Sequence, residues 1–239
     1  LRTADNVLTL KYTVKAIAAQ HGLLASFMPK PVFGINGSGM HCHQSMSDRQ
    51  GKNLFYDAKG QDQLSKLGWQ FIDRILHSAS DICLVLSSSV NAYRRLDPHF
   101  EAPNEIKASA IHRGAMIRVP LGNEQSKRIE VRAVAPDANP YLAVYTLLQT
   151  GFGGPDPEPE DPEKRPRTRM LPDTIYAAMR EFKRSPFVGR ILGEDIQAKY
   201  LQLKEKAAER CPRALGTRIK AGEIMFHHEV TNQMLWSQF

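Results

Sequence analysis

The chain has 239 residues, of which 42% are apolar and 24% charged, and this is enough for one large domain or two small ones with a buried core. This composition excludes a disordered, collagen-like or coiled-coil protein. The net charge of +7 favours anionic ligands, and nucleic acid is a hypothesis that rests on this charge alone.

Cysteine usage and the lack of targeting patterns suggest the compartment. Three cysteines without a repeated spacing predict neither a disulfide framework nor a zinc knuckle, and a reducing cytosol is the simplest interpretation. No stretch approaches the roughly 20 apolar residues of a membrane helix, and the N-terminus lacks the layout of a signal peptide. We therefore expect a cytoplasmic protein without a membrane partner. Because the sequence starts at Leu1 rather than Met, we also expect a fragment of a longer protein.

Helical and strand periodicities alternate with turn residues in the first part of the chain. The predicted elements are amphipathic helices over residues 3–21 and 64–78, strands over 23–28 and 40–46, and a loop over 29–39. Gly22 is the predicted stop of the first helix. The short apolar run over residues 81–90 is left without an assigned type.

The second part of the chain contains a predicted hairpin and several helices. Its strands cover residues 115–120 and 128–134, with a turn at Gly122 and Asn123. Asn139 and Pro140 supply an N-cap and a first-turn proline for an apolar helix that runs to about residue 150. A linker is predicted over 151–172, followed by helices over 173–184, with Asp173 as N-cap, 194–210 and 223–239.

The most unusual stretch is rich in glycine and contains two histidines: Asn36-Gly37-Ser38-Gly39-Met40-His41-Cys42-His43-Gln44-Ser45. Residues two apart on a strand share a face, so His41, His43 and Ser45 are candidates to hold a metal and a phosphate oxygen. The glycines allow backbone amides to approach an anion closely. A tight turn with two satisfied histidines is the alternative.

Charged residues on and near the hairpin form a second candidate site. Six arginines lie on segments that the hairpin would bring together: Arg94, Arg95, Arg113, Arg118, Arg128 and Arg132. Several guanidinium groups in one cleft suit a substrate with both carboxylate and phosphate groups, whereas surface arginines paired with nearby acids are the alternative. Arg128, Glu130 and Arg132 share one strand face, either as a solvated face or as a carboxylate cation ligand between two phosphate-binding arginines. Glu101 is either a surface acid or a mobile catalytic base.

Six ordered blocks of this sequence resemble one known family. Lys30-Pro31-Val32-Phe33-Gly34 and the stretch that continues to Ser45 are similar to the ATP-binding signature of type I glutamine synthetases. The other blocks follow in the family's order at residues 91–96, 100–103, 113–120, 128–132 and 137–142. The resemblance implies an α+β catalytic domain, with a curved antiparallel sheet, outer helices and a helical C-terminus. It assigns the ATP, metal and glutamate site to residues 1–150, and a helical part of the same domain to residues 173–239 after the linker.

The resemblance implies a ligase that uses ATP to phosphorylate the side-chain carboxylate of L-glutamate and lets ammonia displace the phosphate, giving glutamine, ADP and phosphate. Carried over residue by residue, it implies Mg²⁺ or Mn²⁺ ligation by His41 and Glu130, ATP binding by His43, Ser45, Arg113, Arg118 and Arg128, and glutamate binding by Asn36, Gly37, Arg95, Glu101 and Arg132. The implied catalytic residues are Arg113, which stabilises the phosphoryl group in transfer, and Glu101, on a flap that excludes water and helps deprotonate ammonium.

The family resemblance also implies a homo-oligomer, a dodecamer in the family, with glutamate, ammonium and ATP as substrates and no nucleic-acid partner. Members of the family take further metal ligands from strands that precede the position of Leu1, so we expect this chain alone to have little or no activity. Two alternatives stay open: ligation of glutamate to an alkylamine or polyamine, and a catalytically silent relative with a regulatory role. The joint presence of Arg95, Glu101, Arg113, Glu130 and Arg132 argues against silence.

Overall fold

The computed structural model describes residues 1–32, 34–97, 100, 102–157 and 168–213, with side chains of the last helix described through residue 208. These residues form a mixed α+β fold, which confirms the predicted class. The helices are α1 (Arg2–Gln20), α2 (Lys66–His77), α3 (Ala79–Leu86), α4 (Val90–Arg95), α5 (Pro140–Gly153), α6 (Ile175–Arg184), α7 (Pro186–Leu192) and α8 (Glu194–Arg213). The strands are β1 (Cys42–Gln44), β2 (Glu105–Ser109), β3 (Ala115–Arg118) and β4 (Ile129–Val131). None of the helices within these ranges is both long and apolar enough to cross a bilayer.

The four strands form one open sheet in the order β1-β4-β3-β2. Antiparallel pairing of β3 with β4 confirms the predicted hairpin, and β1 is antiparallel to β4 on its other side. The sheet is mixed rather than antiparallel throughout, because β2, which the sequence analysis did not predict, runs parallel to β3. The register places Arg118 opposite Glu130 and Glu130 opposite His43, so these three residues form a row across the sheet.

An apolar cluster packs the helices against one face of the sheet. Ile129 and Val131 of β4 are fully buried in this cluster, and each such side chain contributes about 1.5–3 kcal/mol of burial free energy. Its other large members include Phe71, Ile75, Leu84, Leu147, Phe182, Met116 and Ile117. Side chains alternate along a strand, so the core holds Ile129 and Val131 on one face and leaves Glu130 on the other.

The ends of the helices depend on capping side chains. Asn139 accepts hydrogen bonds from the backbone amides of Tyr141 and Leu142, which confirms the predicted cap of α5. The predicted Asp173 cap of α6 is wrong. Thr174 accepts from the amide of Ala177 at 3.2 Å, so the helix begins one residue later than predicted.

Other differences arise where local patterns compete with long-range packing. The predicted strand over residues 23–28 is wrong, because this segment pairs with no strand in the described part of the chain. It leads to Lys30, whose backbone amide and carbonyl form hydrogen bonds with the side chain of Asn91. The uniformly apolar run after residue 80 belongs to helix α3. Within the predicted linker, α5 continues to Gly153 and the amide of Leu171 donates to the carbonyl of Asn104 at 2.8 Å, beside β2. The predicted helix over 223–239 lies outside the described residues.

Candidate active site

Strand β1 displays the predicted histidines on one side. His41, His43 and Ser45 are exposed, whereas Cys42, Gln44 and Met46 are half-buried. This alternation confirms that the two histidines and the serine share a face. The amide of Met40 donates to the carbonyl of Val134 at 3.0 Å, which fixes the entry to the strand beside the sheet.

The glycines before β1 permit close approach between the loop and charged side chains. A Cβ on Gly37 would lie 2.5 Å from the carbonyl oxygen of Pro29 and 3.0 Å from Cγ of Arg95. A Cβ on Gly39 would lie 2.6 Å from Nε2 of His41 and 2.7 Å from Nη2 of Arg95. Gly37 therefore needs a residue without a side chain, because the close atom is a backbone carbonyl oxygen. At Gly39 the close atoms are the ends of two side chains, which a methyl group would displace.

Glu130 is the centre of the charged network on the open face of the sheet. It is only 4% exposed; Nε of Arg118 donates to its Oε2 at 2.5 Å, and Nδ1 of His41 lies 2.9 Å from its Oε1. Nε of Arg132 lies 3.9 Å from the same Oε1. Burial opposes ionisation of Glu130, but the hydrogen bond and charge of Arg118 outweigh it and hold the pKa of the carboxyl below its usual range. Glu130 is thus an ionised carboxylate at neutral pH.

Arg95 adds a buried positive charge next to this network. Its Nη2 donates to the carbonyl of Arg132 at 2.8 Å and its Nη1 to that of Ala133 at 3.3 Å. Burial and the charge of Arg132 lower the pKa of Arg95 to about 10, which still leaves it charged at neutral pH. Burial and the charge of Arg95 also lower the pKa of His41, against the opposing effect of Glu130. Two guanidinium groups beside a neutral imidazole form a strong binding region for an anion.

These side chains surround a small cavity of about 180 Å³. It is lined by Asn36, Gly37, Gly39, His41, Arg95, Phe100, Ala102 and Arg132. A second cavity, of about 780 Å³, shares Asn36, Phe100 and Ala102 with the first and includes Arg113 in its lining. The structure therefore brings four of the five residues predicted to bind glutamate to one cavity and places Arg113 next to it.

The remaining predicted residues lie around the cavities. Nε of Arg128 donates to Nδ1 of His43 at 3.0 Å, so these two predicted ATP ligands are in contact. Nη1 of Arg132 donates to the backbone carbonyl of Arg113, which joins the two cavities. Ser45 is exposed just after β1, and Arg94 is not among the lining residues of either cavity. Glu101 lies outside the described residues.

The predicted metal ligands are a histidine nitrogen and a carboxylate oxygen within hydrogen-bond distance of each other. Over the described ranges, no group of three or more His, Cys, Asp or Glu side chains is arranged to hold a metal ion. His41 and Glu130 would by themselves supply two ligands of the predicted site. The carboxylate of Glu130 fits Mg²⁺, which commonly binds through one or two carboxylates together with substrate phosphates and water, whereas the imidazole of His41 is a donor that suits transition-metal ions better. The residues present are compatible with a cation that binds along with a phosphate substrate.

A cluster of ionisable side chains at the edge of the larger cavity was not predicted from the sequence. Glu105 lies with its Oε2 2.6 Å from Nζ of Lys107 and its Oε1 2.7 Å from Nε2 of His112. The hydrogen bonds from Lys107 and His112 lower the pKa of Glu105. Glu105 and Lys107 are two residues apart in β2, so their shared face was readable from the sequence once this segment is recognised as a strand.

The chain is similar to known proteins of one family. The family model described as "Glutamine synthetase, catalytic domain" matches residues 1–217. The chain is 43% identical over 219 residues to a glutamine synthetase of Methanosarcina mazei and 39% identical over 219 residues to one of Thermus thermophilus, in each case covering 86% of this chain and 49% of the relative. The chain thus spans about half the length of the curated relatives it matches. The family match covers most of the chain, and the chain belongs to the glutamine synthetase family.

Proposed function

We propose that this site takes part in the ATP-dependent ligation of ammonia to the side-chain carboxylate of L-glutamate, through a γ-glutamyl phosphate, to give glutamine, ADP and phosphate. One observation supports this proposal most strongly. Asn36, Gly37, Arg95 and Arg132, four of the residues predicted to bind glutamate, line a single cavity together with the predicted metal ligand His41.

The small cavity suits an amino acid with two carboxylates. Its volume of about 180 Å³ lies below the roughly 300 Å³ at which drug-sized pockets begin. Arg95 and Arg132 provide charged donors for a carboxylate, and Asn36 provides amide groups for the rest of a polar substrate. Arg95 is held by two backbone carbonyls, so its orientation is preset before substrate binds.

Phosphoryl transfer requires positioning and positive charge more than covalent help from the protein. In the first step an oxygen of the glutamate side chain attacks the γ-phosphorus of ATP, and ADP leaves with the electron pair of the broken bond. Arg113 lines the adjoining cavity and Arg118 and Arg128 lie along the sheet, where their charges offset those of the phosphates. A Mg²⁺ or Mn²⁺ ion held by His41 and Glu130 would neutralise further phosphate charge.

In the second step the nitrogen of ammonia attacks the acyl carbon, and phosphate leaves as the C–O bond breaks. Ammonium must lose a proton before it can attack, and Glu101 keeps the predicted role of accepting that proton. Water must be excluded during this step, because an acyl phosphate that meets water is hydrolysed and ATP is wasted.

The test is glutamate-dependent phosphate release from MgATP, with ammonium, methylamine and a polyamine assayed side by side. The assay is run on this chain alone, where we expect little or no activity, and on a version extended to the length of its relatives. Release that needs both glutamate and ammonium supports the proposal. Release with only another amine identifies a different acceptor, and a lack of release in the extended version contradicts the proposed function.

A matched pair of variants links the activity to the site. Glu130→Gln keeps the shape of the side chain but removes its charge, so we expect kcat to fall by roughly 100-fold or more, given the several kcal/mol that a catalytic metal contributes. Glu124→Gln makes the same chemical change at an exposed loop residue and should leave kcat unaltered.

A further inference from the structure

A buried lysine lies behind the small cavity. Lys30 is 2% exposed, and its Nζ is 3.7 Å from the ring centroid of Phe100 and donates to the carbonyl of Ile35. Burial lowers the pKa of Lys30, while the charge of Asp97 opposes this effect. A buried ammonium group is costly unless its donors are satisfied, so these contacts are needed to keep it inside the protein.

The backbone of Lys30 is attached to helix α4. Its amide donates to Oδ1 of Asn91 at 2.7 Å, and Nδ2 of Asn91 donates to its carbonyl at 2.9 Å. Asn91 lies one turn before Arg95 on the same helix. The neighbouring residue also binds the glycine-rich loop, since the amide of Ser38 donates to the carbonyl of Pro29 at 2.7 Å.

Lys30 therefore contacts or adjoins three segments that line the cavity. Ile35 directly precedes Asn36, α4 ends at Arg95, and Phe100 lines both cavities. We infer that Lys30 is a positioning residue for glutamate, whose ammonium holds the loop before Asn36 against the ring of Phe100. This inference rests on the proposed function, because it concerns the same cavity.

A purely structural lysine would stabilise the fold without acting through Phe100, and a double-mutant cycle separates the two roles. Lys30→Met removes the charge and keeps an unbranched apolar side chain. Phe100→Leu removes the aromatic face and leaves Lys30 in place, which keeps the test valid if Lys30→Met fails to fold. Phe100→Tyr retains the aromatic face and is the conservative variant. Lys59→Met alters an exposed lysine that lines neither cavity and is the matched control.

The first readout needs no ligand. Amide hydrogen exchange at Ser38 reports the order of the glycine-rich loop, and we expect it to be roughly tenfold faster in Lys30→Met and in Phe100→Leu, the effect of losing one desolvated cation–π contact. The Ser38 amide of the double variant should exchange no faster than that of Lys30→Met alone. In Phe100→Tyr, which keeps the aromatic face, it should exchange at close to the wild-type rate. Unchanged or simply additive exchange rates would overturn the inference.

The second readout is the effect of each variant on KM for glutamate and on kcat. Both are measured in the version extended to the length of its relatives. We expect KM for glutamate to rise roughly tenfold in both single variants, with KM for ATP and thermal stability of Phe100→Leu close to wild type. Faster exchange with an unchanged glutamate KM overturns the positioning role. An extended version of wild-type sequence without glutamate-dependent activity contradicts the proposed function, and with it this inference. An active wild type with unaffected variants contradicts the inference alone.

Discussion

Replacing Gly39 with alanine should weaken glutamate binding while leaving the fold stable. The added methyl group would lie 2.6 Å from Nε2 of His41 and 2.7 Å from Nη2 of Arg95. Non-bonded carbon contacts are about 3.5–4.0 Å, so both side chains must move by roughly 1 Å. Nη2 of Arg95 donates to the carbonyl of Arg132 at 2.8 Å, and a shift of this size removes the guanidinium from its preset position.

The expected loss follows from the strength of a charged hydrogen bond. A hydrogen bond to a charged group contributes about 1.5–3 kcal/mol, which corresponds to a rise of roughly 10- to 100-fold in KM for glutamate. Stability should change little, because Gly39 is exposed and does not have a positive φ. At such a position the exchange of glycine for alanine often stabilises slightly, by about 0.4–1 kcal/mol.

The assay is steady-state kinetics with varied glutamate at saturating MgATP, run on the version extended to the length of its relatives, together with thermal unfolding of the same preparations. Gly153→Ala is the control, since a Cβ there meets no atom within 4 Å. A glutamate KM within twofold of wild type in Gly39→Ala would refute the assignment of Arg95 to the substrate. A large fall in Tm would instead show that the loop is required for folding.

Two further changes test the packing and the charge of the helical layer. Gly151→Ala would bring a Cβ to 2.2 Å from the ring of buried Phe71. Overpacking costs about 1–3 kcal/mol and helix propensity returns about 1 kcal/mol, so we expect a loss of up to about 2 kcal/mol by chemical denaturation. Gly153→Ala on the same helix should be neutral or slightly stabilising, because a Cβ there meets no atom within 4 Å. Burial raises the pKa of Asp81 above 3.8, although Ser185 donates a hydrogen bond to it at 2.8 Å. Between the pKa of Asp81 in the unfolded chain and its higher pKa in the folded protein, the folded state binds more protons than the unfolded state. The free energy of unfolding therefore falls as pH rises through this interval. Asp81→Asn removes this effect, so the Tm of the variant should rise relative to that of wild type as pH increases from about 3.5 to 6. A difference in Tm that is constant with pH would show that the pKa of Asp81 is not raised in the folded protein.

The sequence was sufficient for elements whose geometry depends on nearby residues. Apolar spacing predicts helices α1 and α2, and the Asn139-Pro140 pair predicts the start of α5, because the hydrogen bonds of a helix and its cap join residues two to four positions apart. Alternation predicts that His41 and His43 share a face, and the paired strand patterns predict the hairpin of β3 and β4.

Even a correct local prediction left burial undecided. Helix α1 forms as its periodicity predicts, yet Leu10, Val14 and Ile17 are 59%, 37% and 50% exposed among the described residues. Periodicity indicates which side of a helix is apolar, but it does not indicate what packs against that side. In the same way, the apolar run that becomes α3 is buried on all sides and has no face from which its period can be read.

The sequence by itself showed the residue blocks in their order, with the arginines and histidines within them. These blocks were enough to identify the family. Only the tertiary structure decided that the carbonyls of Arg132 and Ala133 hold Arg95, that Lys30 is buried against Phe100, and that β2 lies parallel to β3. The contacts of Arg95 and Lys30 join segments far apart in the chain, and their stability comes from packing and desolvation summed over the whole core. Local spacing contains no information on that sum, because a side chain is buried by whatever distant residues the fold brings to it.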